Sequence, residues 1–334
     1  MDSKKLLQIH WHGRFGNRMF LYAFCNSLAD RNGLTYYMPS EWEGTYLFNK
    51  PERVKIIPDE ELRLHVNQSQ KDMDTKEYRS KAVEIYKQKT NDFSLQHVTL
   101  KEERIYNMEN LYYDDLDCMY AEHCHKNMSS SFVKNLFEFS DTVKNSEMYK
   151  EIEKLKGTYD IAHLRRGDIA MPNYTGAHSM IAKQCYINAI EHYGYEETEV
   201  VWISDNYNET TIPSKNADLN IWYQKWLPKT HEGRHRWFYP TGEHKINDTV
   251  FYDFFIDFLL LKFARTIFRG NSAFSWWGAF LSDATKVFSP LLQSKPADKK
   301  NKYYVQQDVI FVENNEPHFM GSIGEGFVNI KFND

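Results

Sequence analysis

The sequence has little cysteine. Four residues in 334 are cysteine, at positions 25, 118, 124 and 185, with no Cys-x-x-Cys pair. That excludes a disulfide framework and predicts reduced thiols in a reducing compartment. His123-Cys124-His125, with Cys118 nearby, offers metal-binding residue types. The spacing matches no common zinc-ligand pattern, so it is read as structural and no metal site is expected. A long apolar run is also lacking. The most apolar stretch, Phe254 to Phe263, is short and broken by Asp257 and Lys262, which excludes a membrane span. No secretory signal is visible, because Met1-Asp2-Ser3-Lys4-Lys5 leads into only a few apolar residues. A cytoplasmic location is expected, and the Asn-x-Ser/Thr sequons at 67, 127, 173, 208 and 247 are then coincidental. An anchor preceding this sequence would reverse both readings and place the protein at a membrane or in the Golgi. An excess of basic charge is missing as well. Net charge is −5 with a pI near 6.2, so there is no footprint for nucleic acid.

What is present suits two α/β domains. The length has room for about two domains of ordinary size. Leu6-Leu7-Gln8-Ile9-His10 reads as a strand, Gly13-Arg14-Phe15-Gly16-Asn17 as a glycine turn, and Asn17 to Asp30 as a helix stopped by Asn32-Gly33. Leu34 to Met38 is the next strand, which makes a βαβ opening. Residues 59 to 110 are highly charged and read as solvated helices and loops. A polar helix over Met148 to Lys156 ends at Gly157, where the domain boundary is placed, giving domains 1–156 and 157–334. The second half continues the rhythm. Asp160 to His163 is a strand, His178 to Tyr193 a helix and Glu199 to Ile203 a strand. Asn216 to Asn247 is irregular and Val250 to Arg265 a helix. Thr266 to Phe268 is a strand, Ala273 to Leu281 a helix, and Lys286 to Phe288 a last core strand. Strands alternating with helices imply parallel sheets, here two Rossmann-like domains with a crevice between them.

The chemistry concentrates at strand ends. His163-Leu164-Arg165-Arg166-Gly167-Asp168 directly follows a buried apolar run. An arginine fork pairs bidentately with phosphate, and ligands of parallel sheets bind beyond the strands' C-terminal ends. Strand alternation sends one of the two arginines into the crevice. Arg165, on the face of His163, is chosen, and Arg166 is expected to brace the turn, against Asp168. Gly270-Asn271-Ser272-Ala273-Phe274-Ser275 is a second strand-to-helix turn. Its helix N-terminus favours an anion, with Ser272 and Ser275 as hydroxyl donors or with Ser272 as a cap. Asp205, in Ser204-Asp205-Asn206, stands at another strand end and is placed to hold a ribose or a base edge. Asp253 and Asp257 share a helix face, and a carboxylate in so apolar a stretch needs a partner. Asp257 is therefore a site candidate able to accept from guanine, or else one half of a helix–helix salt bridge. Together the two turns describe a diphosphate clamp, as a nucleotide-sugar enzyme needs.

These motifs, with the opening Gly13-Arg14-Phe15-Gly16-Asn17-Arg18-Met19-Phe20, resemble the α-1,2-fucosyltransferases, relatives of the α-1,6- and protein O-fucosyltransferases. Arg18 stands where that family usually has Gln, and Arg14-Phe15 looks closer to the protein O-fucosyltransferases. The resemblance spans residues 12 to 281. It implies a GT-B-like fold, two Rossmann-like domains facing a cleft, with the acceptor on the N-terminal side. It also implies GDP-fucose as donor substrate, a glycan acceptor, inversion and no required metal or cofactor. By analogy Arg165 would bind the β-phosphate, while His163 and Asp257 would contact guanosine and Asp205 would support the pocket. Asn271, Ser272, Ala273, Phe274 and Ser275 would hold the diphosphate, and Gly13, Gly16 and Asn17 would close over the diphosphate or the sugar. The catalytic base stays open between Asp168, Glu41 and His12. Asp115-Leu116-Asp117 is an Asp-x-Asp triplet, but it lies outside the motif order. Two other functions share these features: transfer from another GDP-6-deoxyhexose or GDP-L-hexose, and glycan binding without catalysis, using the aromatics of Trp222 to Tyr239.

Overall fold

The computed structural model of the chain describes residues 5–7, 14–39, 42–57, 106–107, 129–167, 180–227, 243–246, 249–291, 305–313, 318–323 and 326–331. The chain divides into two units, residues 1–139 with 330–334, and residues 140–329. Both are α/β.

The first unit opens with β1 (Lys5–Leu7), α1 (Phe15–Asn32) and β2 (Thr35–Met38). A short α2 (Gly44–Leu47) leads to β3 (Val54–Ile56), and β4 (Tyr106–Asn107) completes a four-stranded sheet of order β3-β2-β1-β4. Every pair in it is parallel. The expected βαβ start is present, with α1 two residues longer at each end than its periodicity suggested. An aromatic cluster fills the core. Tyr22 meets Trp42 with ring centroids 4.5 Å apart, and Phe48 stacks on Phe139 at 5.6 Å. Phe48 also packs edge-on against Phe137, just after α3 (Ser130–Leu136), at 5.2 Å. A helix with its capping serine, Ser129, thus seals this core. Of the charged segment 59–110, only residues 106 and 107 lie among the described residues.

The second unit begins earlier than Gly157. Two serine-capped helices, α4 (Asp141–Asn145) and α5 (Glu147–Glu153), pack with it. Trp222 Nε1 donates to Met148 O at 3.0 Å, and Lys225 bonds both Glu147 and Glu151. These contacts across more than seventy residues move the break to 139/140. The local signal at Gly157 marks only a tight turn.

Its sheet uses β5 (Asp160–Leu164), β7 (Val201–Ser204), β10 (Thr266–Phe268), β11 (Lys286–Leu291) and β13 (Ile310–Glu313) in the order β13-β11-β10-β5-β7. The first four are parallel and β13 is antiparallel. All five residues of β5 are buried, as a central strand covered on both faces requires. The helices are α6 (Lys183–His192), α7 (Ala217–Trp226), α8 (Asp253–Phe263) and α9 (Ala273–Phe280).

Three expectations change here. The helix expected from His178 starts at Lys183, because Met180–Ile181 forms β6, paired with β12 (Val305–Gln306). The supposedly irregular stretch after Asn216 contains α7, whose Leu219, Trp222 and Tyr223 bury one face at helical spacing. The helix expected from Val250 begins at Asp253. Thr249–Tyr252 is instead β9, paired antiparallel with β8 (Glu243–Ile246).

Among the described residues, no helix is long and apolar enough to cross a membrane. Cys25 and Cys185 are buried thiols that form no disulfide. Burial pushes the Cys25 thiol up to about 12 and raises that of Cys185. Since the thiolate is the reactive form, both should resist alkylation in the native protein at pH 8 and react on unfolding. Peptide mapping after iodoacetamide treatment checks this. Rapid native labelling of Cys25 would contradict its placement in the core.

Candidate functional site

The strand order locates the site. From β5 the chain crosses to β7 on one side, and later places β10 and then β11 on the other. The reversal lies between β5 and β10, and at such a switch point the loops leaving two adjacent parallel strands part and open a crevice. The loop leaving β5 is Arg165-Arg166-Gly167, and the loop leaving β10 is Arg269-Gly270-Asn271-Ser272. Both chemistry-bearing turns of the sequence therefore flank one crevice.

They touch. Arg165 donates from NH1 to Asn271 O at 2.9 Å, a bond between residues 106 apart in sequence. This orients a guanidinium beside the N-terminus of α9. Ser272 caps that helix by accepting from the Phe274 amide at 3.2 Å. The Ser275 hydroxyl donates inward to Gly270 O at 3.1 Å or Ser272 O at 3.2 Å. The two serines therefore shape the turn from within.

Arg166 pairs with the carboxylate of Glu209 beside the turn. Nε lies 3.0 Å from Glu209 Oε2, and NH1 donates to Ile181 O at 2.9 Å. Asp168, expected to act there and as a catalytic residue, lies outside the described residues. Asp205 accepts from the Arg166 amide at 2.6 Å. Its carboxylate occupies the space that a Cβ on residue 167 would need, so any side chain there would push the Asp205 carboxylate off the turn. In this arrangement Asp205 orients the arginine turn.

His163, next to the last residue of β5, is 6 % exposed, and its ring centroid lies 5.6 Å from that of Phe274. Phe274 in turn packs edge-on against Phe258 of α8 at 5.5 Å. Asp257, beside Phe258, is 5 % exposed. A buried carboxylate on the helix that packs against α9 thus belongs to the same neighbourhood. The structure brings His163, Arg165, Asn271, Ser272, Ala273, Phe274 and Ser275 together, and Asp205 joins them through the Arg166 amide. Gly16 and Asn17 lie in the first turn of α1, in the other unit. Gly13, His12 and Glu41 lie outside the described residues, as do the Asp115-Leu116-Asp117 triplet, Cys118, Cys124 and Trp237. Among the described residues, no three His, Cys, Asp or Glu side chains are grouped to hold a metal ion.

Sequence reasoning missed Glu209 and Arg269, and took Gly270 only as the start of the second turn. Glu209 carries no local signal. Arg269-Gly270 does, as a charged residue and a glycine directly after a buried apolar strand.

Solved structures similar to this chain include three of NodZ. The NodZ α-1,6-fucosyltransferase soaked with GDP-fucose shares 14 % identity, covers 93 % of this chain and 100 % of its own, and has a TM-score of 0.45. The selenomethionine fucosyltransferase NodZ from Bradyrhizobium shares 13 %, covers 94 % and 100 %, and scores 0.47. NodZ co-crystallized with GDP shares 13 %, covers 86 % and 95 %, and scores 0.44. No protein-family model and no curated protein matches the chain.

Proposed function

We propose that the second unit binds the diphosphate of GDP-fucose at the β5/β10 crevice. On this reading the protein is an inverting glycosyltransferase that moves L-fucose to a sugar hydroxyl. The observation that carries the reading is the Arg165–Asn271 bond at the switch point, which fixes a guanidinium beside a helix N-terminus. In the reaction the acceptor oxygen bonds to the anomeric carbon as the bond from that carbon to the β-phosphate oxygen breaks. GDP departs with the electron pair, and the acceptor proton passes to a base. Charge grows on the leaving diphosphate, where Arg165 and the dipole of α9 meet it. These groups supply the positive charge that a divalent cation supplies elsewhere, so the activity is proposed to be metal-independent.

The motif resemblance supports a GT-B division of labour, with the donor on the second unit and the acceptor on the first. It also favours an α-1,2 linkage to galactose or a related glycan residue. Asp168, Glu41 and His12 are the candidates for the base.

The test is a thermal-shift titration in EDTA with GDP, UDP, ADP and CMP. A ligand at 100 times its Kd stabilises the folded state by about 2.7 kcal/mol, or about 4 °C in a protein of this size. GDP alone should do so, and GDP-fucose should then be consumed with galactosides present. A shift with another nucleotide would overturn the donor assignment. No shift with any would favour the glycan-binding alternative. Activity lost in EDTA and restored by Mn²⁺ would overturn metal independence.

A further inference from the structure

Arg269 takes no part in the donor site as described so far, yet it is built into the same turn. It directly follows β10, and its amide donates to Phe288 O at 3.0 Å, which continues the β10–β11 ladder. The side chain is 1 % exposed. Nε donates to Ser289 Oγ at 2.7 Å, and NH1 stands 3.5 Å from Gly270 O. That carbonyl also accepts from the Ser272 amide at 2.9 Å and from the Ser275 hydroxyl at 3.1 Å. Gly270 O is thus the point on which the turn hangs, and Arg269 reaches it from behind.

Burying a cation is costly, and an apolar residue of similar length would fill a strand end at lower cost. A buried charge here calls for a role. Burial lowers its proton affinity only to about 10, so it is charged at neutral pH. Its field reaches the site. Burial raises the Tyr186 phenol far above its usual range, while the charges of Arg166 and Arg269 act on it in the opposite sense. Tyr186 also lines the turn, because a Cβ on Gly270 would come within 3.3 Å of its hydroxyl.

We propose that Arg269 is a positioning residue and buried counter-charge of the anion site: it holds the Gly270 carbonyl from behind and sets a fixed positive charge under the Gly270–Ser275 turn. The crevice then takes a diphosphate in preference to a neutral nucleoside. This rests on the anion-site reading above. A unit charge about 8 Å from a phosphate, at an effective dielectric near 20, changes affinity by roughly tenfold or more.

The experiment is calorimetric titration of wild type, Arg269→Gln, Arg269→Lys and Ser289→Ala with GDP, inorganic pyrophosphate and guanosine. Arg269→Gln should weaken GDP and pyrophosphate by roughly tenfold or more and leave guanosine within about twofold. Arg269→Lys and Ser289→Ala keep the charge and should stay within about threefold of wild type for all three. Equal losses for GDP and guanosine, or a lysine variant as weak as the glutamine variant, would reduce Arg269 to a structural strut and overturn the proposal. If Arg269→Gln does not fold, the lysine and alanine variants decide by the same criterion. Wild type that binds neither GDP nor pyrophosphate brings down the anion-site reading and this inference with it. Wild type and Arg269→Gln binding pyrophosphate equally brings down this inference alone.

Discussion

Arg165→Ala will leave a folded protein whose kcat/KM with GDP-fucose falls by roughly 10²–10³, the loss expected when one preorganised donor to a developing charge is removed, worth about 3–4 kcal/mol. The side chain is half-buried, and its described bond crosses to Asn271 O, so stability should fall by only about 1–2 kcal/mol. Arg165→Lys keeps the charge but loses the planar fork, and should recover only part of the activity. Arg166→Ala makes the informative contrast. It unpairs Glu209 and gives up the bond to Ile181 O, and should cost about 1–3 kcal/mol of stability. Steady-state kinetics and thermal melts of the three variants, run side by side, separate these roles. Near-normal turnover in Arg165→Ala would remove the phosphate clamp from the mechanism.

Gly270→Ala will damage fold and site together. A Cβ there would lie 2.7 Å from His163 O and 2.9 Å from His163 Nδ1. The first of these is backbone of the central strand and cannot swing aside, so β5 and the turn after β10 must part. Overpacking of this kind costs about 1–3 kcal/mol, roughly 4 °C in Tm at the upper end. The same shift pulls Asn271 O away from Arg165, so GDP affinity should fall even in molecules that stay folded. Melting curves with and without GDP measure both effects. An alanine variant with wild-type Tm and an undiminished GDP shift would show that the close approach at Gly270 is dispensable.

Local pattern and long-range pairing contributed differently to what was legible. α1, β2, β5, β7, β10 and α9 were readable because each is a run of apolar residues at the right period, closed by a glycine, a proline or a charged turn. Thr249–Tyr252 misled because the apolar run of α8 follows without a break, and one period blends into the next. α7 was hidden by polar residues on its exposed face, and β13 by its separation from the rest of the sheet. The candidate site was more legible than the fold around it. Arginine, glycine and serine directly after buried strands are unusual enough to stand out without knowledge of which strands are neighbours.

The amino-acid sequence by itself determined the α/β class and the identity of the turns that carry chemistry, since these follow from periodicity and from residue types at strand ends. Only the tertiary structure decided that β10 lies beside β5, that Arg165 meets Asn271 across 106 residues, and that Glu209 pairs with Arg166. It also decided that Arg269 is buried beneath the turn. The physical reason is that parallel strands of similar apolar composition can be ordered in several ways with the same local pattern. The order is selected by side-chain packing between distant segments, such as Phe268 against Phe288 and Ile267 beside Ile161, and no window of sequence contains both partners.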